Sequence, residues 1–310
     1  MRLQHVARAL VLVAAGFLVV TGVRAAPAGF WQHWGDGKAE LTGYTLTQSR
    51  YGEQRKGQAV AIYVTEPFSN SARVKADPGR HPPDDEFQAV KLNLVEDFQT
   101  GVYDYNVMTS AWVRVEAGHG QGAFAPVKLS FSAQEWCGHV FESWWFLPGG
   151  TARFDRHSYF DGEADESGQV ELRNAIFVDH LFLAVRGLGP VTLHPGQTVK
   201  LDVVPRLKTL RLLHKPAQPE PATFTRSGGG EKLSVPAGAF DVEKYTLTMA
   251  QGGTMHWWVE RAEPRKVIAW EHVGQDRAEM TGSFRDPYWQ HHNHGDEALL
   301  KKLGLKPLPQ

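Results

Sequence analysis

The run Tyr245-Thr246-Leu247-Thr248-Met249-Ala250-Gln251-Gly252-Gly253-Thr254-Met255-His256-Trp257-Trp258-Val259 alternates greasy and polar side chains on both sides of a glycine pair. Tyr245, Leu247 and Met249 stand against Lys244, Thr246 and Thr248, and Met255, Trp257 and Val259 resume the rhythm after Gln251-Gly252-Gly253. A period of two is the spacing of a half-buried strand, and residues that tolerate positive φ between two such runs make a hairpin. Outward from this hairpin the same rhythm recurs in Val60, Ile62 and Val64, in Tyr103, Tyr105 and Val107, and in Val127, Leu129 and Phe131 against Lys128, Ser130 and Ser132. The expected fold class is therefore mainly β: one or more antiparallel curved sheets, or a partial β-barrel, with one or two short helices.

Two stretches break the pattern. Val178, Leu181, Phe182 and Val185 stand at i, i+3, i+4 and i+7 and are followed by Gly187 and Pro190, which describes a short helix. Phe177 and Leu183 make its other side apolar too, so it is expected to be buried, plugging or capping a curved sheet. Asp296 to Leu303 is expected to form a second, amphipathic helix on the surface, closed by Gly304 and Pro307. Candidate boundaries are Asp161 to Gly168, which divides a β-rich region over 26–168 from a curved-sheet region over 169–310, and two segments read as long hairpin loops, Lys215 to Pro221 and Ser227 to Gly230. The two regions are also compatible with one continuous domain.

The beginning of the chain reads as a cleavable secretory signal peptide over residues 1–25. Arg2, His5 and Arg8 precede the uncharged run Ala9 to Val23, and Val23-Arg24-Ala25 has the small-residue form that a signal peptidase accepts. A retained anchor would need about 20 apolar residues. The expected location is periplasmic or secreted. Cleavage removes three arginines and no acid, taking the formal charge from −1 to −4. No aligned Lys/Arg cluster accompanies that balance, so no nucleic-acid partner is implied. Cys137 is the single cysteine, which excludes an intramolecular disulfide. No later segment is apolar enough for a transmembrane helix.

Several stretches carry resemblances. Phe177-Val178-Asp179-His180-Leu181-Phe182-Leu183-Ala184-Val185-Arg186, Pro195 to Val199, Val235 to Phe240 and Trp258 to Lys266 resemble, in order and spacing, an uncharacterised domain-of-unknown-function family of bacterial envelope proteins. That resemblance implies an antiparallel, strongly curved sheet packed around a helix, similar in shape to the LolA-type lipoprotein carriers, in a family without an assigned reaction. Phe30 to Glu40 and Phe98 to Thr109 resemble secreted proteins that carry the label septum formation inhibitor Maf. The Ser-rich, Arg-containing first loop of the Maf nucleotide pyrophosphatases has no counterpart here. Neither resemblance brings a catalytic set.

Three groups of residues are candidates for chemistry. Glu135, Cys137 and His139 place a carboxylate, a thiol and an imidazole close together, and a neighbouring imidazolium lowers a thiol pKa. In an extended strand, however, Cys137 and His139 lie on one face about 7 Å apart, too far for a direct hydrogen bond, and the alternative is a small buried side chain packed beside Trp136. His291, His292, His294 and Asp296, with Glu297, are metal-ligand types at no defined zinc spacing. Their alternative is a polar linker into the last helix. Trp144, Trp145, Trp257 and Trp258 put large rings on both faces of a sheet, either as core or as the wall of a ligand cavity. The acidic runs Asp84 to Glu86 and Asp161 to Glu166 read as solvated loops, the second a loose echo of a calcium loop. No nucleophile elbow, phosphate-binding loop, zinc-protease motif or cofactor motif occurs.

The leading expectation is a non-catalytic envelope protein that binds or carries a hydrophobic or amphipathic molecule, or a partner protein. The alternatives are a Cys137/His139 enzyme acting on a peptide or acyl bond, and metal binding through the C-terminal histidines.

Overall fold

The structure, a computed structural model, describes residues 26, 29–163 and 165–307; the signal peptide read over 1–25 lies outside the described residues. A short helix α1 (Phe30–Trp34) leads into eight strands: β1 (Ala39–Arg50), β2 (Glu53–Ser69), β3 (Glu86–Gln99), β4 (Asp104–Arg114), β5 (Pro126–Glu135), β6 (Gly138–Leu147), β7 (Thr151–Ser158) and β8 (Glu166–Glu171). Then come β9 (Ile176–Phe177), α2 (Val178–Ala184), β10 (Thr198–Val204) and α3 (Leu207–Leu212). The chain closes with β11 (Glu220–Val235), β12 (Gly238–Met249), β13 (Thr254–Glu260), β14 (Val267–His272), β15 (Asp276–Asp286) and two 3₁₀ turns, Tyr288–Gln290 and Asp296–Leu303.

All fifteen strands belong to one sheet, ordered β8-β7-β6-β5-β4-β3-β2-β1-β15-β14-β13-β12-β11-β10-β9. Every pairing is antiparallel except β9 with β10. The order is two meanders joined where β1 pairs with β15. Its outermost strands, β8 and β9, are neighbours in the chain, separated only by residues 172–175. Laid flat, fifteen strands would span roughly 65 Å at the usual interstrand spacing, whereas that connection reaches no more than about 19 Å. The sheet must therefore curl until its edges approach, which makes the molecule barrel-like. One continuous apolar core collects residues from both meanders, and the boundary read at 168 falls inside β8.

The deciding hairpin forms as its alternation requires, with Leu247 opposite Met255 and Tyr245 opposite Trp257, all four facing the core. The plug is α2. All seven of its residues are buried, and an isolated helix of that length has no stability of its own, so packing holds it. Phe182 sets its ring edge-on to Trp257 and Trp270 at 5.7 and 5.4 Å. Next to the other meander, Phe177 packs on Trp144 at 4.9 Å and His180 on Phe146 at 5.2 Å. Burial of each such ring stabilises by about 2–3 kcal/mol.

Helix α3 is tied to the plug by Asp179, whose carboxylate accepts the Leu207 N–H at 3.1 Å, an orphan donor at the helix start. Arg206 and Lys208 then send their cationic ends into the interior. Arg206 reaches Glu96 at 2.6 Å and Asp276 at 3.0 Å, and Lys208 reaches Glu96 at 2.5 Å, Gln48 at 2.9 Å and Asp276. This ionic knot binds α3 to β1, β3 and β15 with every member buried.

Two sequence expectations change. Val60, Ile62 and Val64 do not face the barrel interior, which takes Ala59, Ala61 and Tyr63 instead; they lie on the outer face, where Leu303 of the last 3₁₀ helix covers them. Gly43 and Gly282, opposite each other across β1 and β15, permit that docking: a methyl group on either would lie 2.2 Å from the backbone oxygen of Leu303 or Lys302. Neither segment read as a hairpin loop is one. Residues 215–219 connect α3 to β11, while Ser227 to Gly230 lies within β11 at a bulge, where pairing passes from Arg226–Tyr245 to Gly230–Glu243. Three residues there face Lys244 alone, two more than a regular ladder would place.

Candidate functional site

Where α1, the turn after α2 and the loop between β13 and β14 meet, they enclose a cavity of about 560 Å³. Its lining is Gly29, Phe30, Gln32, His33 and Trp34, then Arg186, Gly187 and Leu188, then Glu263, Pro264 and Arg265. Gln32 and Glu263 are exposed members of that lining. Helix α1 is too short to stand alone and is latched from outside: Thr65 donates to the Trp34 carbonyl at 2.6 Å, and Arg285 binds Asp36 at 2.7 Å and the His33 carbonyl. That latch turns Phe30 and Trp34 inward, where both are buried.

The floor is polar. Arg186 and Glu40 form an ion pair at 2.8 Å with neither side chain exposed. Arg186 also donates to the Pro264 carbonyl at 3.1 Å and lies over the Tyr63 ring at 4.1 Å, a cation–π contact. His33 Nε2 stands 3.6 Å from the same carboxylate. Burial alone would raise the Glu40 carboxyl, but the Arg186 charge, the Arg186 hydrogen bond and the neighbouring His33 imidazole outweigh it and hold the group at about 2. Burial pushes Tyr63 up to about 12. The Arg186 Nε has no hydrogen-bond acceptor although it is buried, an arrangement that favours a further acceptor nearby.

Arg265 forms the cavity's second cationic wall. It pairs with Glu243, donates to the Tyr245 hydroxyl at 3.0 Å and sits at φ 60°. A second hollow of about 200 Å³ shares Arg265 and is otherwise lined by Pro195, Arg226, Ser227 to Gly230, Glu243 and Arg261. The site thus combines an aromatic wall, a buried ion pair and several guanidinium groups. Such a combination can hold a molecule with an apolar body and an anionic group.

The residues singled out in the sequence lie elsewhere. Glu135, Cys137 and His139 sit at the β5–β6 hairpin, whose turn is Trp136-Cys137. Cys137 is exposed, which corrects the expectation of a small side chain packed away beside Trp136; Trp136 itself is 72% exposed. Glu135 accepts the Cys137 backbone N–H at 2.7 Å, and its hydrogen bond and negative charge push the thiol pKa up, away from a nucleophile. No Cys137–His139 hydrogen bond forms.

Trp144 and Trp257 are core, stacked on Phe154 and set edge-on to Phe182. Trp145 and Trp258 follow them on the same strands, Trp145 half-buried and Trp258 buried at the edge of the core. Trp145 and Trp112 flank the Lys128 ammonium; Lys244 and Arg277 lie over Trp258, whose indole donates to Glu231 at 2.9 Å. None of the four lines either hollow.

At the C-terminus His291 bonds Asp286 at 2.6 Å, His292 approaches the Trp289 carbonyl at 3.3 Å, and Asp296 accepts the Asn293 N–H at 2.9 Å. His294 is exposed. Of the four only His291 and Asp296 approach one another, at 4.0 Å, and among the described residues no three His, Cys, Asp or Glu side chains converge as a metal site. The acidic loops are likewise tied internally: Asp85 accepts from Ser69 and Ser71, and Glu163 from Ser158.

Sequence reasoning missed Glu40, Arg186 and Arg265 as site residues. A signal was present, because the three stretches Phe30–Glu40, Phe177–Arg186 and Trp258–Lys266, quoted above for their resemblances, are the ones that meet at the cavity.

No family model matches the chain, and no curated protein matches it. Among solved structures it is similar to a β-barrel-like protein of the domain of unknown function DUF1849 from Brucella abortus, with 10% identity, a TM-score of 0.43, and coverage of 80% of this chain and 98% of that one. It is also similar to a DUF1089 family protein from Pseudomonas aeruginosa, with 10% identity, a TM-score of 0.33, and coverage of 60% and 84% respectively.

Proposed function

We propose that this protein is an exported, non-catalytic binding protein of the bacterial envelope that holds an amphipathic molecule with an anionic group in the cavity between α1 and Arg265. The observation that carries this reading is the pairing of Phe30, Trp34 and Leu188 with Arg186 and Arg265 around one hollow of about 560 Å³. That volume is within the usual range of small-molecule sites, roughly 300–1,000 Å³. The barrel interior does not serve as the container, because α2 and the ionic knot fill it. The molecule is therefore held at the mouth, with its apolar part against the aromatic wall and its charge toward the guanidinium groups.

Titration of the purified protein with dodecanoate and with dodecylamine, followed by tryptophan emission, tests the reading. Dodecanoate is expected to bind at least about tenfold more tightly. Equal binding of the two amphiphiles, or binding of neither, contradicts it.

A further inference from the structure

The smaller hollow beside the cavity has its own chemistry. Three guanidinium groups, Arg226, Arg261 and Arg265, line it together with one carboxylate, Glu243. Glu243 is already engaged by two of them: Arg226 bonds it at 2.7 and 2.9 Å, and Arg265 binds its other oxygen. Among the described residues the Arg261 side chain makes no hydrogen bond or ion pair; only its backbone is engaged, donating to the Asp241 carbonyl at 3.0 Å. Two positive charges in the hollow are therefore left uncompensated, on a chain whose net charge is −1.

The other wall is backbone. The β11 bulge takes Ser227, Gly228 and Gly229 out of register with β12, and of their carbonyls Ser227 accepts the Gly196 N–H at 3.2 Å and Gly229 the Ser227 hydroxyl at 2.9 Å. A methyl group on Gly229 would meet nothing within 4 Å, and one on Gly228 would touch only Gly196. The one side chain of the three, the Ser227 hydroxyl, is engaged by backbone, donating to the Gly229 carbonyl at 2.9 Å and accepting the Lys244 N–H at 3.1 Å. Gly230 is different, since a methyl group there would lie 2.8 Å from Arg261 Cδ and displace that side chain. Glycine-rich backbone with exposed peptide groups beside several guanidinium groups is the combination that receives a phosphate, through bidentate Arg contacts and amide donors. A phosphomonoester carries about −1.5 to −2 charges at neutral pH, which matches the surplus.

We propose that the hollow lined by Arg226, Arg261, Arg265 and the Ser227–Gly230 bulge is a subsite for a phosphomonoester group. Arg265, shared with the larger cavity, places that phosphate at the head of the amphipathic molecule held there, so the ligand class is a phosphorylated amphiphile. This assignment rests on the proposed function above, and its test separates the two.

Calorimetric titrations with inorganic phosphate, dodecyl phosphate and dodecanoate are compared for the wild type, Arg261→Ala, Arg261→Lys and Gly230→Ala. Arg261 has no side-chain partner to lose, so its variants are expected to melt with the wild type. Dodecyl phosphate is expected to bind at least about tenfold more tightly than dodecanoate. Arg261→Ala should remove that advantage and weaken inorganic phosphate by a similar factor while dodecanoate is unchanged. Arg261→Lys should restore it in part, and Gly230→Ala should mimic Arg261→Ala. Inorganic phosphate binding as tightly as dodecyl phosphate would keep the phosphate site and overturn its link to the amphiphile. Phosphate binding that is undetectable, or indifferent to Arg261→Ala, would overturn the subsite even with dodecanoate bound. Loss of dodecanoate binding alone would sink the larger-cavity reading instead.

Discussion

Two clusters of charge are embedded in this barrel, and they differ in what surrounds them. In the interior knot Arg206 and Lys208 face Glu96, Asp276 and Asp179, every side chain buried, with no opening to solvent. At the mouth Arg186 faces Glu40 just as closely, yet Arg186 lines a cavity, and Arg265 and Arg261 extend the positive charge outward. Buried charge by itself therefore does not mark a binding site. The interior cluster fastens α3 and the plug to the sheet, whereas the mouth cluster faces open hollows with surplus positive charge.

The largest effect that would break this comparison comes from the knot. Arg206→Met leaves Glu96 and Asp276 facing Lys208 alone, and losing one member of a buried ionic cluster typically costs about 3–5 kcal/mol. Urea unfolding should show that loss, and dodecanoate affinity of the folded variant should not change. A variant as stable as the wild type but unable to bind would reverse the two roles.

A second effect sharpens the contrast by pH. Burial, only partly offset by Arg206, raises the Asp179 carboxyl to about 6. Its folded pKa exceeds the unfolded one of about 3.9, so its contribution to stability is complete below that value and is lost as pH rises through about 6. Its neighbour His180 works oppositely: burial lowers it to about 4, so its contribution is present above its ordinary 6.5 and is lost as pH falls toward 4. The two nearly cancel in the wild type. Asp179→Asn should expose the His180 dependence, with variant stability relative to wild type rising by about 2–3 kcal/mol from pH 4 to 6. Parallel pH profiles would contradict the assignment.

Smaller changes belong to the mouth and the surface. Arg265→Gln should weaken dodecanoate by about tenfold, about 1.4 kcal/mol, with a Tm drop smaller than that of Arg206→Met. Cys137→Ser, on an exposed turn, should change stability by less than about 0.5 kcal/mol and leave binding untouched; a large effect of either kind would return Cys137 to consideration.

These contrasts also show what could be read from the chain beforehand. The strand rhythm and the plug helix were legible because periodicity is a local property: Tyr245 to Val259 alternates, and Val178 to Val185 is greasy all round. Which face was which was not always legible, since Val60, Ile62 and Val64 carry the larger aliphatics yet lie outward beneath Leu303, a partner supplied from the far end of the chain. The bulge at Ser227 to Gly230 resembled a loop because glycine-rich composition serves both. The site was hardest. Glu40 and Arg186 are 146 residues apart, and Arg265 is 79 residues beyond Arg186. Only closure of the sheet brings them together. Charged residues inside apolar runs, such as Arg186 after Leu183-Ala184-Val185, were the trace left in the sequence.

The most direct test of binding at the mouth is a crystal structure grown with dodecanoate. The acyl chain should lie against Phe30 and Trp34, with its carboxylate directed at Arg186 or Arg265. A chain seated instead on the sheet beside Met108 of β4 and Phe141 of β6, both exposed apolar side chains, or a mouth holding only water at saturating ligand, would contradict it.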